Sequence, residues 1–185
     1  MNGVNIAVAA HTINALPPVS ISGGKTAQAF SMKGAEHASI IISFGVQGAA
    51  VPTSIVVNQC TNAAGANPVA LASFRYYYQL LGGAGNDILN GAAQALTNAP
   101  SVPPNWTTSA SGIVAFPTSV ANLVYIIEID SAELETPTVN VVGTVTEYPY
   151  LQVVIADSGN ATIAAVTVVL SGLRYAYNVG NSQTV

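Results

Sequence analysis

In residues 37–46, HASIIISFGV, apolar side chains keep a period of two. Ala38, Ile40, Ile42 and Phe44 fall on one side, and His37, Ser39, Ile41 and Ser43 fall on the other. Successive side chains of an extended chain point to opposite faces, so this spacing predicts a half-buried β-strand rather than a helix. The pattern returns in TSIVVNQC (53–60), which the turn QGAAVP joins to the first as an expected hairpin. It returns again in VALASFRYYYQLL (69–81). Further strands are expected over SGIVAFP (111–117), NLVYIIEID (122–130), PTVNVVGTVT (137–146), LQVVIAD (151–157) and ATIAAVTVVLSGLRYAY (161–177). The last is apolar on both faces for most of its length, as a central strand covered on both sides would be. Gly, Pro and Asn punctuate these runs, and the turn DSGN separates the last two. About eight short strands with turn signals between them predict an all-β fold, an antiparallel β-sandwich of jelly-roll type.

Composition sharpens the class. Four Lys and Arg and eight Asp and Glu leave only 6% of the 185 residues charged, against about 25% in ordinary soluble domains. Half of the chain is hydrophobic, yet Asn, Ser, Thr, Gly or an acid interrupts each apolar run before the roughly 20 residues that a spanning helix needs. No membrane partner is expected. The opening MNGVNIAVAAHTINALPPVS has no basic start and no long apolar stretch, so it is not expected to act as a signal peptide. Apolar surface without a span is expected to be covered by other subunits. A net charge of −4 with no basic arm removes phosphate neutralisation, the main source of nucleic-acid affinity. The lone Cys60 excludes an intrachain disulfide framework and reads as a small buried residue in a strand.

Residues 1–30 carry Pro17-Pro18 and Gly23-Gly24 without apolar period. They predict an extended N-terminal arm, lying along its own domain or a neighbour, ahead of a single sandwich domain over 31–185. Removing the arm is expected to spare the sandwich. Residues 82–110 are rich in Gly, Asn, Ala and Pro and hold the sole tryptophan, Trp106. They read as a long loop excursion, a common place for functional contacts.

Few residues suggest chemistry. Four of the eight acids, Glu128, Asp130, Glu133 and Glu135, crowd into VYIIEIDSAELE (124–135). Glu128 and Asp130 share a strand face about 7 Å apart, and DSAE has capping-box spacing for a short helical turn. A divalent-ion site needs six to eight oxygens, and a glycosidase pair needs a cleft; neither has support elsewhere in the chain. The window is expected to be a strand end. His11 and His37 have no partner at ligand spacing, and no Ser or Cys stands in a nucleophile-elbow setting, so no catalytic residue, cofactor or metal is expected. GGKT (23–26) lacks the first glycine of a phosphate loop, since position 19 is Val. GGAGND (82–87) reads as a flexible turn. The matches NWT and NAT to the glycosylation pattern matter only in a secreted eukaryotic setting.

The FRYYYQ stretch places Arg75 and Tyr77 on the face opposite Phe74, Tyr76 and Tyr78. Arg and Tyr are enriched at protein interfaces. Arg75, Tyr77, Trp106, Pro17 and Pro18 are therefore the candidate interface residues.

Three segments in this order, SIVVNQCTNAAGANPVALASFRYYYQ (54–79), NLVYIIEIDSAELE (122–135) and ATIAAVTVVLSGLRYA (161–176), resemble small virion structural proteins of tailed bacteriophages. The resemblance runs over most of residues 37–177; residues 82–110 and the Pro-rich arm depart from it. It implies a capsid decoration or cement protein on the outer surface of the virion. Such a protein would bind the major capsid protein, assemble with itself as a homotrimer or homodimer, and carry no catalytic residues. Two other readings stand beside it: a receptor- or carbohydrate-binding module of a tail spike or fibre, with Trp106, Tyr148 and Tyr150 as its aromatics, and a single-jelly-roll coat protein. A hydrolase on the same scaffold would draw on Glu128 and Asp130.

Overall fold

The computed structural model describes residues 10–45, 54–71, 76–80, 124–134, 138–139, 145–159 and 161–173. Over these the chain is all-β: two antiparallel sheets enclose one core, and no α-helix occurs among the described residues. The strands are β1 (His11–Ser20), β2 (Lys25–Thr26), β3 (Phe30–Ser31), β4 (His37–Phe44), β5 (Ile55–Cys60) and β6 (Val69–Ala70). There follow β7 (Tyr76–Leu80), β8 (Val124–Asp130), β9 (Thr138–Val139), β10 (Val145–Thr146), β11 (Tyr150–Ile155) and β12 (Ile163–Ser171). The first sheet has the order β1-β12-β4-β8-β7, and the second has the order β2-β11-β5-β6 with β3 also on β11. The short strands β9 and β10 pair with each other.

The pairing is nested. β1 pairs with β12, β2 and β3 with β11, β4 with β8, and β5 with β6, as if one long hairpin were folded over on itself. The expected hairpin between residues 37–46 and 53–60 does not form, because β4 lies in the first sheet and β5 in the second. Alternation tells each strand which face to bury; it does not say against which sheet. Likewise the single strand expected over 69–81 is divided, with β6 in the second sheet and β7 in the first.

Burial follows the pleat. Along β4 the apolar set Ala38, Ile40, Ile42 and Phe44 is buried while the intervening residues are half-buried or exposed. β8 supplies Tyr125, Ile127 and Ile129 to the same layer, all fully buried. The second sheet answers with Ile55, Val57, Leu151, Val153 and Ile155. Each such side chain contributes about 1.5–3 kcal/mol by leaving water. Phe44 and Tyr125 meet edge to face, with ring centroids 6.1 Å apart. The last strand, β12, is central in its sheet, between β1 and β4. Its inner residues are buried, whereas Ala165, Thr167 and Val169 on its outer face are only half-buried.

The Pro-rich segment takes the first of its two expected placements. Residues 11–20 are β1, the edge strand of the first sheet, with irregular register around Leu16. Ala15 and Leu16 reach the core, and so do Ile21, Ala27, Ala29 and Phe30 beyond β1. Residues 27 and 28 then bridge the sheets: Ala27 N donates to Val153 O and Gln28 N to Ala15 O, each at 2.8 Å. Removing residues 1–30 therefore takes away core side chains, the edge strand β1 and the short strand β2, so the expectation that the domain survives that deletion is withdrawn.

Candidate functional site

The antiparallel pairing of β4 with β8 sets His37 opposite Asp130 and Ser39 opposite Glu128. Inward neighbours Ala38 and Ile129 are fully buried, so the pleat turns all four polar residues to the outer face. His37 Nδ1 lies 2.7 Å from Asp130 Oδ1, and its Nε2 lies 2.6 Å from Glu128 Oε2. Ser39 Oγ donates to the same Glu128 oxygen at 2.6 Å. The imidazole thus spans two carboxylates two residues apart on one strand. The His37, Glu128 and Asp130 side chains remain 31%, 22% and 36% exposed, a partly screened position at the end of the sheet.

Both ring nitrogens face acceptors, so the arrangement suits the doubly protonated imidazolium. Burial by itself would lower the His37 pKa. The hydrogen bonds and negative charges of Asp130 and Glu128 outweigh it and hold the value above the ordinary histidine range. Because the pKa is raised on folding, the cluster contributes its full stability below the unfolded value of about 6.5. That contribution is lost as pH rises through the folded value.

This geometry bears on each chemical reading of the acidic window. Neither nitrogen of His37 points to an open position where it could act as base toward a substrate, and Ser39 is bonded to Glu128 rather than to the histidine. The two nitrogens look in opposite directions, so the three side chains do not converge on one point. Among the described residues no group of three or more His, Cys, Asp and Glu is arranged to hold a metal ion. Asp130 does lead into a helical turn, a 3-10 turn over Ser131–Glu133, but its Oδ1 engages His37. The sequence shows no partner for His37 at ligand spacing; its hydrogen-bond partners are 91 and 93 residues away, across a strand pairing.

A second polar clasp joins two turns. Asp157 Oδ1 accepts from Gly159 N and from Gly23 N, each at 2.8 Å. The Gly159 bond, followed by that of Gly23, holds the carboxyl below the usual aspartate range. In GGKT, then, a backbone amide of the sort a phosphate would seek already donates to an internal carboxylate. Cys60 closes β5 as a buried residue, its Sγ 4.0 Å from Gln152 Oε1, and burial pushes the thiol pKa up.

Of the candidate interface residues, the described structure includes Pro17, Pro18 and the backbone of Tyr77. Pro17 and Pro18 are exposed on edge strand β1. Position 77 of β7 is in register with Ile127, while positions 76 and 78 are in register with Glu128 and Ile126. Arg75, Trp106 and the 82–110 excursion lie outside the described residues, as does the strand expected over 111–117. Among the described residues no helix is long and apolar enough to cross a membrane.

Fold and site together define an all-β, two-sheet sandwich whose polar cluster ties two strands together on the outside of one sheet. No protein-family model matches the chain, and the search of curated proteins returns no match.

Proposed function

We propose that this chain is a virion structural protein of a tailed bacteriophage, a decoration or cement protein that binds the outer capsid shell and strengthens contacts between major capsid subunits. The observation that carries the reading is the nested strand pairing, with the chain passing between the two sheets from β1 to β2, from β3 to β4, from β4 to β5, from β6 to β7 and from β11 to β12. That wiring supports a jelly roll, an architecture frequent in viral capsid proteins and in lectins. Two further features favour the shell over the lectin. Only 6% of the chain is charged. The outer face of the first sheet sets Ile41 and Ile126 side by side, with Thr167 on the other flank of Ile41 and Val124, Ala165 and Val169 beyond, all half-buried. A sheet face of that kind gains by being covered, and closed homotrimers or homodimers on the shell would cover it.

The test is co-sedimentation of the purified full chain with phage capsids that lack it, alongside its oligomeric state by light scattering. Saturable binding, with capsids that then resist heating to a higher temperature, is the expected result. A strictly monomeric protein that ignores particles overturns the proposal. Glycan binding by the free protein would transfer the assignment to a receptor-binding module.

A further inference from the structure

Independently of that assignment, the His37 cluster has a property that follows from donor counting. Two divergent ring nitrogens each face a carboxylate oxygen, at 2.6 and 2.7 Å. An imidazolium donates from both nitrogens, whereas a neutral imidazole donates from one and offers a lone pair from the other. Loss of the proton must therefore break one of the two contacts or turn it repulsive. Glu128 keeps the bond donated by Ser39.

We propose that His37, clamped between Glu128 and Asp130, is a pH-operated latch: protonated, it ties the start of β4 to the end of β8, and on losing its proton it lets that end of the first sheet fray while the core stays folded.

Among the described residues, Lys33 is the one other cation close in chain position to the latch. On β8 the neighbours are the two carboxylates themselves. β12 places Ser171 opposite His37 and has no ionisable side chain over 163–171. Beyond it, β1 carries His11, in register with Leu170. On the far flank, position 76 of β7, a tyrosine, is in register with Glu128. The turn leading into β4 contributes Lys33 and Glu36, and the 3-10 turn after Asp130 contains Glu133. Apart from Lys33, the charges that the described residues add close in chain position are negative, and in the sequence Arg75 and Arg174 stand just beyond them. A neutral His37 no longer lies as a cation between its two carboxylates.

The position of the cluster confines the effect. Glu36 N donates to Ser171 O at 3.1 Å, and Ser131 N donates to Glu36 O at 2.8 Å. These backbone bonds flank the latch and close the sheet at this end. Ala38, Ile40, Ile127 and Ile129 underneath are fully buried, and core strands open only with the whole domain. Fraying is therefore expected to stop at the first buried pair.

The experiment uses the isotope-labelled full chain. The His37 ring signal is followed by NMR from about pH 5.5 to about pH 9, a range that brackets histidine titration. Amide exchange at Glu36 and Ser131, corrected for intrinsic rates, is measured over the same range, with Val56 and Val154, paired across β5 and β11 of the second sheet, as references. Wild type should titrate above the ordinary histidine value, and Glu128→Gln or Asp130→Asn should each lower the midpoint. Protection at Glu36 and Ser131 should fall roughly three- to tenfold through that midpoint, in keeping with one charge-assisted bond that is partly screened. Protection at Val56 and Val154 should hold. A midpoint at or below the ordinary value, a midpoint indifferent to both variants, flat protection at Glu36 and Ser131, or loss of protection at all four amides together would each overturn the latch.

Discussion

Leu16→Ala separates a strand from an arm. Leu16 lies in β1 opposite Val166, is 8% exposed and belongs to the core cluster. Truncating a buried leucine costs about 2–5 kcal/mol, through lost burial and the cavity left behind. The edge position and the shifted register on either side of Leu16 allow some collapse into the gap, which favours the lower half, about 2–3 kcal/mol. For a domain of this size each kcal/mol moves Tm by about 2–4 °C, so the expected drop is roughly 5–10 °C. Urea unfolding followed by tryptophan fluorescence or circular dichroism measures it, with a lower midpoint at unchanged slope. Asn14→Ala is the control. Asn14 is exposed two residues away on the same strand, and its loss should stay within about 0.5 kcal/mol. If the two variants are equally stable, β1 does not help hold the sandwich together, and residues 1–30 revert to an arm.

Two other substitutions examine local geometry. Gly65 has φ of +74°, and a methyl group there would sit 2.5 Å from Gln152 Nε2. The amide end of Gln152 can swing aside but the backbone strain cannot be relieved, so Gly65→Ala should cost about 1–2 kcal/mol by urea unfolding. Adding Gln152→Ala should recover little of that; full recovery would mean that contact, not backbone strain, sets the cost. Asp157 is depressed on folding, so its stability is present above the unfolded value and lost as pH falls through the folded one. Wild type should therefore lose Tm more steeply than Asp157→Asn on acidification below about pH 5, and parallel curves would remove the clasp from the account of acid stability.

Strands were legible where one face is buried and the pleat writes that burial as alternation. β4, β8, β11 and β12 fall within the segments expected as strands. Partner choice was not legible, because an amphipathic strand has the same pattern whether its neighbour in sequence pairs beside it or crosses to the facing sheet. Pro17 and Pro18 concealed β1, since proline is a poor sheet residue except at an edge, and an edge is where β1 lies. The site was half legible. Glu128 and Asp130 were placed on one face at a strand end, and the short helical turn after them is present. Missed was a matching spacing: His37-x-Ser39 opens one strand as Glu128-x-Asp130 closes another. Two polar pairs of equal two-residue repeat, on strands that otherwise bury their alternate positions, can meet across an antiparallel ladder with every side chain on the same face.

That placement of charge also bears on how the molecule could associate. A sheet edge with open backbone groups invites another strand, and three of the four edges of the two larger sheets among the described strands, all but β7, are poorly suited to that. β2 and β6 are two residues long, and β1 carries exposed Pro17 and Pro18. The charged residues on the outer face of the first sheet cluster at its His37 end, while its middle holds Ile41 beside Ile126. On the proposed function, docking would therefore proceed through this face rather than by strand addition. The carboxylates at one end would fix the orientation of a partner, and a charge set against that apolar middle would meet a desolvation cost with nothing to offset it.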